Sequence, residues 1–202
     1  MQSVVTILVS INRLNTLTLG YVLPNEFLCW VDFNNMLVLP LISLVAFYLL
    51  KKTIEYDSPA REAKGHLVIN LAFIVGIYLL AASYGDHEVT NYLHVRFCID
   101  DPSSDLCRIV IFNNDEFSHW VFFTGFVIMN AALFFLQTLF PNKEKLAGKD
   151  ITLLIVNSVF LGAGVFANLG FEEIGLDLYV VALLAILSTL RLQSPYEFHA
   201  GS

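Results

Sequence analysis

The sequence predicts an all-α protein, a polytopic transmembrane helical bundle in which residues 1–202 form a single integral-membrane domain. Hydrophobic residues make up 56% of the chain, charged residues only 14%, and the mean hydropathy is +0.67. Soluble domains rarely have this composition, whereas membrane proteins commonly do. Several apolar segments also approach the ~20 residues that a helix needs to cross the hydrocarbon core of a bilayer.

Five of these segments are predicted to be membrane-spanning helices, namely residues 33–50, 67–85, 117–142, 151–171 and 174–190. The second, third and fourth contain no Asp, Glu, Lys or Arg. Pro40 lies inside the first span, where a membrane helix tolerates proline because neighbouring groups satisfy the freed carbonyl. The fifth span carries Asp177 near its start.

The N-terminal segment leaves two interpretations open. Residues 3–11 are apolar but too short to cross a bilayer, and polar residues at Asn12, Arg13 and Asn15 interrupt their continuation. The segment is therefore either part of a sixth span or an interfacial helix. It lacks the basic region and the small-residue cleavage site of a secretory signal peptide.

The distribution of charge predicts an orientation in the cell membrane. The basic residues that follow the first, third and fifth spans all fall on one side, which the positive-inside rule makes cytoplasmic: Lys51, Lys52, Arg61, Lys64, Lys143, Lys145, Lys149 and Arg191. Most of the acidic residues then lie on the outer side. The net charge of -7 fits this pattern, and the absence of a basic patch argues against a nucleic-acid partner.

Two cysteines bracket the predicted outer loop between the second and third spans. Cys98 and Cys107 are expected to form a disulfide if that side of the membrane is oxidising. Two free thiols are the alternative. A bridge would rigidify the connection between the two spans.

The same turnaround carries the residues that best indicate a function. His87 and Glu88 close the second span, while Asp115, Glu116 and His119 open the third. Glu116 and His119 have the E-x-x-H spacing of carboxylate-bridged metal sites. Imidazole and carboxylate together suit zinc, iron or another divalent ion, so the sequence predicts a metal or proton-transfer site at the outer membrane boundary.

Four other residues are predicted to support this site. Asn91 and His94 share a helical face with His87 at i+4 and i+7, although His94 would stand about 10 Å further along the axis. Glu172 and Glu173 lie in the predicted outer turn between the last two spans, where they either close the site or are ordinary solvated turn acids.

Two resemblances follow from these motifs. The segments SYGDHEV at 83–89, DEFSHW at 115–120 and GF at 125–126 resemble a family of small, uncharacterised bacterial membrane proteins typified by YjdF. That resemblance implies a multi-helix inner-membrane protein with an acidic, histidine-containing outer pocket. The Asp115-Glu116 pair with histidine also resembles the alkaline ceramidase superfamily of intramembrane zinc hydrolases, although residues 174–190 lack that superfamily's H-x-x-x-H motif.

Two classes of function fit the sequence. One is a metal-dependent membrane enzyme, a hydrolase or an oxygenase, that acts on a lipid or another apolar substrate at the outer leaflet. The other is a non-catalytic helical subunit or binding protein whose polar outer turn contacts other membrane subunits. The metal content of the purified protein separates the two classes.

Overall fold

The computed structural model describes residues 2–56, 64–139, 147–171, 182, 185 and 186 of the chain. Within these residues the regular structure is helical, and the extended backbone is limited to an isolated antiparallel bridge between Tyr21 and Cys29. Five helices follow one another along the chain. They are α1 (Gln2–Leu14), α2 (Trp30–Phe33, Asn34–Val38 and Leu39–Glu55), α3 (Lys64–Leu93 and His94–Cys98), α4 (Asp105–Phe112, Asn113–Phe117 and Ser118–Leu139) and α5 (Gly148–Phe171).

In the described part of the chain, three helical segments are long and apolar enough to cross a membrane, by length and composition: Trp30–Glu55, Gly65–Cys98 and Asp105–Leu139. They contain the first two predicted spans and residues 117–139 of the third. The segments have 26, 34 and 35 residues, and therefore lengths of ~39, ~51 and ~53 Å at 1.5 Å per residue. The hydrocarbon core of a bilayer is about 30 Å thick, so α3 and α4 are both longer than a span requires.

The other predicted spans have different outcomes. Helix α5 covers the fourth predicted span and has 24 residues. The fifth span, residues 174–190, lies outside the described residues except for positions 182, 185 and 186. Helix α1 has 13 residues and is ~20 Å long, too short to cross the hydrocarbon core by itself.

The core of the bundle lies between α3 and α4. Its buried members are Phe73 and Leu80 from α3 and Met129, Ala132 and Leu133 from α4. Burial of these side chains fixes the two helices against each other over several turns.

Two glycines allow this close approach. A Cβ atom added at Gly76 would lie 2.8 Å from both Cβ and the backbone nitrogen of Met129. A Cβ added at Gly125 would lie 2.8 Å from the carbonyl oxygen of Gly76 and the backbone nitrogen of Leu80. Small residues at such crossings let helix backbones pack closely in membrane proteins. The register of α3 against α4 therefore depends on both glycines.

A disulfide connects the ends of α3 and α4. The sulfur atoms of Cys98 and Cys107 lie at bonding distance, 2.07 Å, and both side chains are buried. Ser104 caps the start of α4, where its hydroxyl oxygen accepts a hydrogen bond from the backbone N–H of Cys107. The turnaround between the two helices is thus held by a covalent bond and a helix cap.

Among the described residues, π-helical turns lie within α2 and α4 and at the end of α3: Asn34–Val38, Asn113–Phe117 and His94–Cys98. A π-turn hydrogen-bonds to the fifth residue along the chain rather than the fourth, so it is wider than an α-helical turn and rotates the residues that follow. Such turns occur most often at functional sites. The turns at 34–38 and 113–117 flank the cavity described below.

Candidate functional site

A cavity of about 190 Å³ lies where α1, α2, α3 and α4 meet, and we call this end of the bundle the cavity end. Polar groups line one part of its wall and apolar side chains line another. The lining residues are Val9, Arg13, Asn35, Ser83, Tyr84, His87, Glu88, His119, Phe122 and Phe123.

A half-buried ion pair forms part of the cavity wall. The Glu88 side chain is only 3% exposed, and its Oε1 lies 2.9 Å from Nη2 of Arg13. Asn35 donates a longer hydrogen bond of 3.4 Å to Oε2 of Glu88. Because a buried carboxylate needs a compensating charge or donors, these contacts explain how Glu88 is accommodated between the helices. They also tie α1 and α2 to α3.

The ion pair continues into a network of asparagines. Asn12 donates to Oδ1 of Asn35 at 2.8 Å, and the same amide nitrogen lies 2.9 Å from the carbonyl oxygen of Val31. Asn34 donates to Oδ1 of Asn12 at 3.1 Å. Asn12 and Asn35 are buried, so each amide is held in one orientation by its partners. The polar residues that interrupt the N-terminal apolar segment therefore have a structural role.

His87 and His119 lie side by side in the cavity wall. Their ring centroids are 5.1 Å apart and the ring planes meet at 43°. The sequence predicts that these two imidazoles approach each other, and the structure places them together. Metal–nitrogen bonds are about 2 Å long, so this separation is compatible with one ion between the rings.

The backbone of α4 fixes the protonation of His87. Nδ1 of His87 lies 3.2 Å from the carbonyl oxygen of Asn114. A carbonyl only accepts hydrogen bonds, so this contact places a proton on Nδ1 of His87. Metal-binding and general-base histidines commonly have this arrangement.

A serine pair holds the helices together beneath the imidazoles. Ser83 donates to the carbonyl oxygen of Ser118 at 2.9 Å, and Ser118 donates to the carbonyl oxygen of Asn114 at 2.8 Å. Both serines are buried. The bond from Ser83 joins α3 to α4 next to the histidines, whereas the bond from Ser118 lies within α4.

Asp115 and Glu116 do not join the histidines. Both residues are exposed, whereas His119 is half-buried and faces the cavity. Glu116 belongs to the π-turn at Asn113–Phe117, so its E-x-x-H spacing to His119 does not lie on a regular α-helix. Among the described residues there is no group of three or more His, Cys, Asp or Glu that could hold a metal ion.

The predicted supporting residues lie apart from the cavity. Asn91 and His94 are half-buried on α3, beyond the residues that line the cavity in the described part of the chain. Glu172 and Glu173 lie outside the described residues.

Cys29 is the free cysteine of the described residues and precedes α2. Burial raises the pKa of the Cys29 thiol, and the nearby Asp32 carboxylate raises that pKa further, while Arg96 opposes the shift. The thiol therefore stays protonated, and less reactive, to a higher pH than an ordinary cysteine.

The sequence analysis missed four polar residues of the cavity wall, namely Arg13, Asn35, Ser83 and Tyr84. Arg13 is the counter-charge of Glu88, and one signal pointed to it. It is a lone cation on an apolar N-terminal segment, and such residues in membrane proteins usually face a partner or a wet cavity.

No protein-family model, curated protein sequence or solved structure matches this chain. The two resemblances drawn from its motifs therefore stay predictions.

Proposed function

We propose that the chain is a multi-pass protein of the cell membrane that binds a small amphiphilic molecule, such as part of a membrane lipid, in the cavity between α1, α2, α3 and α4. The observation that carries the proposal is the cavity's lining. It combines an ion pair, an amide and two imidazoles with apolar side chains, inside a bundle of span-length helices.

The membrane location rests on the exterior of the helices. Large apolar side chains are exposed along the outside of α2, α3, α4 and α5, where water would disfavour them. The proposed topology puts the basic residues of 51–64 and 143–149 in the cytoplasm. In that topology the cavity end faces the outer leaflet.

The chemistry of the wall suggests how such a ligand is held. Val9, Phe122 and Phe123 offer apolar contact, while the imidazoles of His87 and His119 and the half-exposed side chain of Arg13 offer polar groups. A volume of about 190 Å³ is smaller than typical sites for drug-sized ligands, roughly 300–1,000 Å³. The cavity therefore takes one headgroup or a short chain segment rather than a whole lipid.

Mass spectrometry of the small molecules that copurify with the protein tests this function. We expect wild type, purified in mild detergent, to retain a defined amphiphile. The Val9→Trp variant, which fills the cavity, should lose that amphiphile. Ile11→Trp is the matched control, because Ile11 lies on the exposed side of the same helix. Equal retention by both variants, or a lipid profile identical to that of the surrounding membrane, contradicts the proposal.

A second candidate, a metal-dependent membrane enzyme, is favoured by the imidazole pair and by the proton on Nδ1 of His87. In it, His87 and His119 hold a divalent ion, zinc or iron, and water or substrate supplies the other ligands. Such an ion would lower the pKa of bound water or activate oxygen. Metal analysis should then find one ion per chain in wild type and in His94→Ala, and its loss in His119→Ala. Equal metal content in all three proteins excludes this candidate.

A third candidate function is that of a non-catalytic subunit of a larger membrane complex. Purification of the protein in mild detergent also tests this candidate. A stoichiometric partner chain that stays bound through size-exclusion chromatography would favour it over an isolated binding protein.

A further inference from the structure

The segment that joins α1 to α2, residues 15–29, is unusually apolar for a connecting segment, and we call it the interface loop. Its single charged residue is Glu26. Large apolar side chains of the loop are 44–89% exposed, namely Leu17, Leu19, Tyr21, Leu23 and Phe27. Exposed apolar clusters of this kind mark contact with a protein partner or with a membrane.

The interface loop is held in one conformation by hydrogen bonds. The backbone N–H of Val22 donates to the carbonyl oxygen of Leu28 at 2.8 Å, and that of Trp30 donates to the carbonyl oxygen of Gly20 at 2.9 Å. The tip is fixed to α3, because Tyr92 and Arg96 both donate to the carbonyl oxygen of Glu26. The leucines are thus presented by an ordered scaffold.

The exposed apolar surface continues around the cavity end. It includes side chains at the end of α3 and the start of α4, listed here in chain order: Val95, Phe97, Ile99, Leu106 and Ile109. A protein partner would cover one side of the bundle. An apolar surface on several sides instead indicates a surrounding apolar phase.

Two physical limits place the interface loop at one depth. Irregular backbone exposed to lipid is not tolerated in the hydrocarbon core, because its remaining N–H and C=O groups would go unsatisfied. Leucine and phenylalanine side chains are disfavoured in water. The boundary between headgroups and acyl chains satisfies both limits, and it is where Tyr21 and Trp30 are also favoured.

We propose that the interface loop is a membrane anchor that inserts its apolar side chains into the outer leaflet beside the cavity and places the cavity below the lipid headgroups. The loop begins next to Arg13 and ends a few residues before Asn35, and both of these residues line the cavity. Arg96, which holds the loop tip, is eight residues beyond Glu88 on the same helix, and the axial distance is ~12 Å. The proposal rests on the membrane location proposed above. In this arrangement, the ligand enters the cavity from the acyl-chain region of the bilayer rather than from water.

Depth-dependent fluorescence quenching tests the anchor. The chain has two tryptophans, Trp30 and Trp120, and replacing both by Phe gives a background for single probes. Leu17→Trp places a probe in the interface loop, Ile74→Trp places one on the exposed middle of α3, and Asp100→Trp places one in the polar turn beyond α3. Each protein is reconstituted in phosphatidylcholine nanodiscs whose lipids carry bromine near the headgroup or near the chain end. Aqueous iodide is added in a parallel titration.

The three probes separate the possible outcomes. We expect the Leu17→Trp probe to lose more fluorescence with bromine near the headgroup than with bromine near the chain end. The Ile74→Trp probe should show the opposite preference, and the Asp100→Trp probe should respond to iodide alone. Quenching of the Leu17→Trp probe by iodide alone, or by neither quencher, overturns the anchor while leaving the membrane location intact. If lipid bromine also fails to quench the Ile74→Trp probe, the membrane location fails as well.

Discussion

The Arg13→Met substitution removes the positive charge of the ion pair between Arg13 and Glu88 in the cavity wall. Arg13→Met keeps an unbranched chain of similar length at the helix surface and deletes the guanidinium. Glu88 then keeps only the longer hydrogen bond from Asn35 at 3.4 Å. We expect the variant to be folded but clearly less stable, and α1 to detach from α3.

The size of the effect follows from the burial of the two partners. Breaking a fully buried pair by deleting one partner costs about 3–5 kcal/mol. An unsatisfied but neutral buried group costs about 1–3 kcal/mol. Glu88 is 3% exposed but Arg13 is 49% exposed, so water already reaches one side of the pair. We therefore expect a loss of about 2–3 kcal/mol in the free energy of unfolding, between the two limits.

A double-mutant cycle in detergent micelles measures this loss. Unfolding is followed by circular dichroism as sodium dodecyl sulfate is added to wild type, Arg13→Met, Glu88→Gln and the double variant. The double variant should recover part of the Arg13→Met loss, because no buried charge is then left without its partner. Arg108→Met is the control, since Arg108 and Asp105 are highly exposed and 3.9 Å apart. Additive single effects, or an Arg13→Met effect no larger than that of Arg108→Met, refute the reasoning.

Three further predictions concern the frame of the site. Gly125→Ala should cost about 1–3 kcal/mol in the same unfolding assay, because the new methyl group meets backbone atoms of α3 at 2.8 Å. Gly85→Ala, whose methyl group meets nothing within 4 Å, should not destabilise the protein. Peptide mapping without reductant should recover the disulfide of the cavity end as one cross-linked fragment, and two free thiols there would refute the bridge. The rate of maleimide labelling of Cys29 should have a pH midpoint above that of a free thiol, because burial and the Asp32 carboxylate both raise the pKa of the Cys29 thiol. Asp32→Asn should lower that midpoint. An unchanged midpoint would show that Asp32 does not influence the thiol.

Sequence reasoning predicts the parts of the structure that depend on the pattern of polar and apolar residues along a short segment of the chain. Runs without charge predict the long helices because span length and side-chain polarity suffice to define them. Two helices joined by a short turn must return side by side, and this alone brings His87 and His119 together. The approach of Cys98 and Cys107 follows from the same turnaround.

The parts that it could not predict depend on packing between distant segments. The contact of Arg13 with Glu88 joins residues 75 positions apart, and no spacing rule connects them. Asn35 hydrogen-bonds to both Asn12 and Glu88, and neither partner is close to it in the sequence. Both contacts arise because α1 folds back over α2 and α3, which its short apolar pattern does not specify.

The π-turn of α4 explains both the failed and the successful parts of the site prediction. In this turn the backbone N–H of Ser118 donates to the carbonyl oxygen of Asn113, five residues back, rather than to that of Asn114. The carbonyl oxygen of Asn114 thereby loses its α-helical partner and accepts instead from the Ser118 hydroxyl and from Nδ1 of His87. Asp115 and Glu116 both belong to this wider turn and are exposed. The turn thus leaves the two predicted carboxylates outside the cavity wall and supplies the carbonyl oxygen that His87 contacts.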